Sequence, residues 1–223
     1  MYYRYLNLPF KIKEPDRSLL DEFTGCDIFG TKDNFTFMNL EKDLVSYKDV
    51  SYDKDIKLNE VIKFDFQYDF EKWFENYTDE IKLATYYFLY TKEGIANTIH
   101  SDTITDESKT KINFVFADYN SCMEFFETDN IYEYPHKDGL VLCADEKDSK
   151  LIGRLKYENY YPILVDTNSF HRGNNRSCQS RRLTISYDLT DRNGNYVNFP
   201  DAVNIFDDVL VPVENKFYML SDV

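Results

Sequence analysis

Three side chains carry the chemistry this sequence could perform. His100 and Asp102 stand in Thr98-Ile99-His100-Ser101-Asp102, and His171 in Ser169-Phe170-His171-Arg172-Gly173. Residues two apart on a strand face the same way, so His100 and Asp102 can hold adjacent corners of one metal ion. His171, from a second strand, completes a face. Two imidazoles and one carboxylate on one face leave three positions open, which suits non-haem Fe(II) and admits a chelating cosubstrate and O2. Arg182, 11 residues past His171, opens Arg182-Leu183-Thr184-Ile185-Ser186-Tyr187 and offers a charge for the far end of that cosubstrate.

An H-x-D pair alone is a weak motif, because Asp is abundant here. The wider pattern narrows the odds: His171 lies 69 residues after Asp102 and follows the apolar run Pro162-Ile163-Leu164-Val165. On the strand that Arg182 opens, Arg182, Thr184, Ser186 and Asp188 share one face, and Leu183, Ile185 and Tyr187 the other. The polar face either lies in water or lines a barrel interior. In the second case the buried guanidinium needs an anion, which the distal carboxylate of a dicarboxylate would provide in bidentate fashion. Thr184 faces the same way and can donate to the same group.

The elements that must position these residues begin near residue 83. Leu83 to Tyr90 is apolar on both faces, as in a strand covered on both sides. Lys92-Glu93-Gly94 turns the chain into 95–102, which carries the H-x-D pair. Further strands are expected at 112–117, 122–126, 140–143, 151–157, 161–165, 169–171 and 182–189, a spacing that argues for a sandwich or barrel. Before them, 2–10 reads as an opening strand and 18–23 as a short helix. The region 35–70 reads as mixed short elements. Phe70, Trp73, Phe74 and Tyr77, at i, i+3, i+4, i+7, mark a helix whose stripe is core packing. Residues 190–223, with a turn at Asn193-Gly194 and an apolar stretch at 209–213, read as a tail packing on the core. The chain is one domain over 1–223: a flank to residue 82, a core over 83–189, and the tail.

Composition sets limits. With 43% apolar residues the chain can bury a sizeable core. A net charge of −14 opposes binding to nucleic acid or anionic membranes. Cys26, Cys122, Cys143 and Cys178 form no C-x-x-C or zinc spacing and read as free thiols. No signal-peptide or membrane-spanning run is present, so a cytoplasmic protein is expected. Arg172, Arg176, Arg181 and Arg182 form a basic island beside His171, either a solvated loop or an attraction site for an anion. His136, in Tyr134-Pro135-His136-Lys137, is placed in a surface turn.

The set His100-x-Asp102, His171, Arg182-x-Thr184 resembles the signature of the Fe(II)/2-oxoglutarate-dependent dioxygenase superfamily. His171-x-x-Asn174-Asn175 and the spacing to Arg182 resemble its phytanoyl-hydroxylase-like and prolyl-hydroxylase-like branches. The resemblance covers 83–189. It implies a mainly β fold, a double-stranded β-helix (jelly roll, cupin-like), to which the local pattern of the flank adds N-terminal helices. It also implies Fe(II) held by His100, Asp102 and His171, with 2-oxoglutarate as cosubstrate held by Arg182 and Thr184. Tyr90 stands where some relatives carry a cosubstrate-binding Tyr, and Asn113 is either part of the cosubstrate pocket or a structural hydrogen-bonding residue. The usual R-x-S is R-x-T here, and Arg181 competes with Arg182, whose strand phase is the better match. The implied reaction is hydroxylation of a small molecule or peptide side chain by O2, releasing succinate and CO2. Two other classes fit the same residues: a non-catalytic jelly-roll binding or structural module, and a cupin-type metalloenzyme without 2-oxoglutarate.

Overall fold

In a computed structural model, residues 1–15, 27–31, 35–38, 66–102, 109–136, 139–158 and 161–212 are described. They are mainly β and form two antiparallel sheets. The strands are β1 (Tyr3–Tyr5), β2 (Asp27–Thr31), β3 (Phe35–Met38), β4 (Ile81–Thr91), β5 (Ile99–Ser101), β6 (Thr110–Phe116) and β7 (Cys122–Thr128). They continue as β8 (Ile131–His136), β9 (Gly139–Ala144), β10 (Ser149–Lys156), β11 (Ile163–Asp166), β12 (His171–Asn174) and β13 (Arg182–Asp191). The helices are α1 (Gln67–Tyr77) and α2 (Phe199–Ile205).

One sheet has the order β1-β11-β6-β13-β4-β2-β3, and the other β10-β7-β12-β5-β9-β8. From β4 to β7 the chain passes alternately between the two sheets, and again from β10 to β13. Sequence neighbours are therefore stacked face to face, while residues far apart in sequence become strand partners. Gly94 (φ 78) and Gly194 (φ 91) supply left-handed turns where the sequence signals them.

The outer face of the seven-stranded sheet buries the main apolar core. On β13 it presents Leu183, Ile185, Tyr187 and Leu189, and on β6 Ile112, Phe114 and Phe116. The aromatic stripe of α1 lies on that face: Phe70 meets Phe114 at 4.9 Å and Tyr187 at 5.1 Å between ring centroids. α2, capped by the Asn198 side chain accepting from the Asp201 N–H, adds Phe199, Ala202 and Phe206 to the same cluster. Phe206 stacks on Tyr77 at 5.6 Å. Between the sheets a second cluster joins Val115, Ile163 and Val165 to Met123, Phe125 and Leu155. This cluster closes one side of the interior, with Tyr2 stacked on Phe125 at 5.1 Å.

Several expectations are refined. The opening strand is confined to Tyr3–Tyr5, because Leu6 to Pro9 leaves the ladder after one bridge to Leu210. Only Ile99–Ser101 of 95–102 forms a regular strand, joined by an isolated bridge from Ala96 to Asn174. β8 was missed: His136 is the last residue of a strand that pairs along its length with β9, not part of a turn. Pro135 fits there because β8 lies at the edge of its sheet, where Pro is tolerated. The helix α2 within the tail was also missed. The expected helix at 18–23 lies outside the described residues, as do Cys26 and Val213. Cys122, Cys143 and Cys178 are free and buried. Among the described residues no helix is long and apolar enough to cross a membrane.

Candidate metal centre

β5 and β12 are hydrogen-bonded neighbours with His100 directly opposite His171. Cross-strand partners project to one face, so the two imidazoles stand side by side, their centroids 4.7 Å apart. Asp102 lies just past the end of β5. Its N–H donates to Thr167 O at 2.9 Å, and the preceding Ser101 hydroxyl donates to Asn168 O at 2.8 Å. These bonds tie the turn that carries Asp102 to the segment leading into β12. Asp102 Oδ1 is 3.3 Å from His100 Nε2, and one ligand atom from each of the three residues lies within 4.8 Å of the others.

These distances fit a single ion. Two donors about 2.1 Å from one metal and at right angles to each other are about 3 Å apart. The tautomers fit as well. His100 Nδ1 lies 2.8 Å from Thr98 O, and His171 Nδ1 lies 2.8 Å from Ser169 O. A carbonyl only accepts, so each Nδ1 carries the proton and each Nε2 presents its lone pair. Burial pushes the His171 pKa down to about 4, helped by the neighbouring imidazole, which keeps His171 neutral as a ligand must be. Burial opposes the charged form of His100 too, but the Asp102 carboxylate outweighs it and raises that pKa. Burial of Asp102 is likewise outweighed, by both imidazoles and Lys109, and its pKa is lowered.

The face of β13 that carries Arg182, Thr184, Ser186 and Asp188 is the inner one. Arg182 is 2% exposed; Nη2 donates to Thr91 Oγ1 at 3.4 Å, and the Tyr157 hydroxyl is a second side-chain partner. Nε and Nη1 have no partner, and among the described residues no carboxylate pairs with it. The guanidinium crosses to the opposite sheet and rests against Gly173, two residues after His171 on the same face of β12. Tyr157 flanks it, with Cζ 5.9 Å from the ring. Burial pushes the Tyr157 hydroxyl up to about 12 against the pull of Arg182. Thr184 is half-buried on this face, and Ser186 donates to Asn113 Oδ1 at 2.6 Å.

The basic island divides. Arg172 points to the outer face of its sheet, where Nε meets Glu124 at 2.8 Å and Nη2 meets Glu146 at 2.8 Å. Arg176 pairs with Glu146 at 2.9 Å. Arg181 lies over the Tyr90 ring at 4.5 Å. Of the four, Arg182 is the one whose guanidinium enters the interior beside the His171 strand. Tyr90 is opposite Leu183 in register and belongs to the outer core cluster, so it is not brought to the His/Asp group. His136 is at the hairpin end of β8.

Sequence reading missed Lys111, Gly173 and Tyr157. Lys111 and Asn113 make a polar face on the otherwise apolar β6, which was the available signal for the first. Lys111 Nζ is 2.6 Å from Asp102 Oδ2 and 3.6 Å from Asp188 Oδ1.

The chain matches no family model, and no curated protein is significantly similar to it. The functional reading therefore rests on the residues and their geometry.

Proposed function

We propose that this protein is an Fe(II)- and 2-oxoglutarate-dependent oxygenase, a hydroxylase acting on a small molecule or peptide side chain. The observation that carries the reading is the pairing of two features in one interior. One is a His/His/Asp cluster whose ligand atoms lie within 4.8 Å of one another. The other is a buried guanidinium, unmatched by any described carboxylate, on the same side of β12. An unpaired buried charge is costly, so Arg182 calls for an anionic ligand. A ligand that bound metal at one end and Arg182 at the other would span roughly two strand residues, about 7 Å, the scale of a small diacid.

The strand pairing supports a double-stranded β-helix. The chain-order set β4 to β7 and β10 to β13 divides into β4-β13-β6-β11 and β5-β12-β7-β10, the interleaving of a jelly roll, with β8–β9 as an insertion. In this reading His100, Asp102 and His171 hold Fe(II), which with 2-oxoglutarate and O2 supplies the oxidising power for hydroxylation, succinate and CO2 being released. Arg182 holds the far carboxylate, with Thr184 and Tyr157 beside it. Asn113, through Ser186, keeps the polar wall between them ordered. The Phe125 cluster excludes water from one side.

An anaerobic titration tests the reading. Fe(II) followed by 2-oxoglutarate is expected to give the weak visible charge-transfer band of the chelate. Metal binding without a band would point to a metalloenzyme that does not use 2-oxoglutarate, and no metal binding to a non-catalytic module.

A further inference from the structure

We infer that Lys111 is a positioning residue that fixes Asp102 as a one-oxygen ligand and so keeps the remaining metal positions open; this rests on the metal reading above. The two oxygens of Asp102 are divided between different partners. Oδ1 faces His100 Nε2 at 3.3 Å, on the side where the ion would sit, while Oδ2 is capped by Lys111 Nζ at 2.6 Å. A carboxylate that chelated through both oxygens would have to give up that ammonium. Lys111 comes from β6 on the opposite sheet, is 8% exposed, and lies over the Tyr87 ring at 4.4 Å, which limits where its amine can go.

The same ammonium restrains a second carboxylate. Asp188, on the inner face of β13 opposite Lys111 in register, is 3.6 Å from Nζ and accepts from the Tyr87 hydroxyl at 3.2 Å. A buried carboxylate that shares an ammonium with Asp102 is a competing oxygen donor for a divalent ion. Lys111 and Tyr87 together occupy it. The interior thus holds two carboxylates within reach of one ammonium, and Lys111 assigns one oxygen of one of them to the metal.

The test is titration of the metal-free protein with Co(II), reading affinity and the visible ligand-field spectrum, which reports coordination. Lys111→Met is expected to weaken binding about 10- to 100-fold and change the spectrum, as loss of an outer hydrogen-bonding partner of a ligand does. Lys111→Arg, which keeps the charge, is expected to recover most of the affinity and the wild-type spectrum. If Lys111→Met folds poorly, Lys111→Gln gives the same comparison. Wild-type affinity and spectrum in the uncharged variant would overturn the inference while leaving the metal reading intact. Equal losses in the Met and Arg variants would also overturn it, since charge would not be the cause. A wild-type protein that binds no Co(II) would overturn both.

Discussion

Gly173 and Arg182 share one volume. A Cβ built on Gly173 would fall on the guanidinium, far inside van der Waals contact with Nη2, Nη1 and Cζ. The glycine in His171-Arg172-Gly173 is thus the gap through which a side chain of the facing sheet reaches the strand that carries His171. Gly173→Ala is expected to displace Arg182 and weaken 2-oxoglutarate binding more than tenfold, with Fe(II) stoichiometry unchanged. Calorimetric titration of each ligand separates the two effects.

Arg182→Met removes a buried charge with no described counterion and keeps similar bulk. The ligand-free protein is expected to be equally stable or more stable, by about 1–3 kcal/mol. It should also lose the stabilisation that 2-oxoglutarate gives the metal-loaded wild type, about 2.7 kcal/mol at a hundredfold excess over Kd. Urea unfolding with and without ligand reads both. A strongly destabilised ligand-free variant would mean that the guanidinium serves packing.

His100→Ala, Asp102→Ala and His171→Ala each remove one corner of the site. Each is expected to abolish stoichiometric Fe(II) binding, measured by metal analysis after desalting. Full retention in His171→Ala would refute the ligand set.

Glu124 ties together Arg172 and Arg154 on the outer face of the six-stranded sheet, at 2.8 and 2.9 Å, and is 1% exposed. Burial works against its charged form, but Arg172, Asn174 and Arg154 outweigh it and lower its pKa. A depressed folded-state pKa means stability that is present above the unfolded value, about 4.3, and lost as pH falls through the folded value. The wild type is therefore expected to lose stability on acidification below about pH 4.3. Glu124→Gln should show less of that loss, after starting about 1.5–3 kcal/mol lower at pH 7 because Arg172 and Arg154 lose a charged hydrogen-bond acceptor, Arg172 keeping only Glu146. Urea midpoints of the metal-free proteins at pH 7 and below pH 4 give the comparison.

Much of this was legible in one dimension. Alternation along Arg182-Leu183-Thr184-Ile185-Ser186 announces two unlike faces, and the i, i+3, i+4, i+7 aromatics of 70–77 announce a helix. Both depend only on the local period of the backbone. The same alternation could not say that Tyr90 belongs to the outer core, because its face depends on the register that sets it opposite Leu183. Nor could it separate four neighbouring arginines. Arg172 and Arg176 are neutralised by Glu124 and Glu146, which lie 26 or more positions away in the chain.

The sequence by itself determined which groups were available: two imidazoles, a carboxylate two residues from one of them, and a polar stripe headed by Arg182. Side-chain chemistry and the two-residue strand period are local properties. Tertiary structure alone decided that His100 and His171 are cross-strand partners, that Arg182 fills the space left by Gly173, and that Lys111 caps Asp102. Each of those contacts joins segments distant in sequence, and only the pairing and stacking of the two sheets brings them within reach.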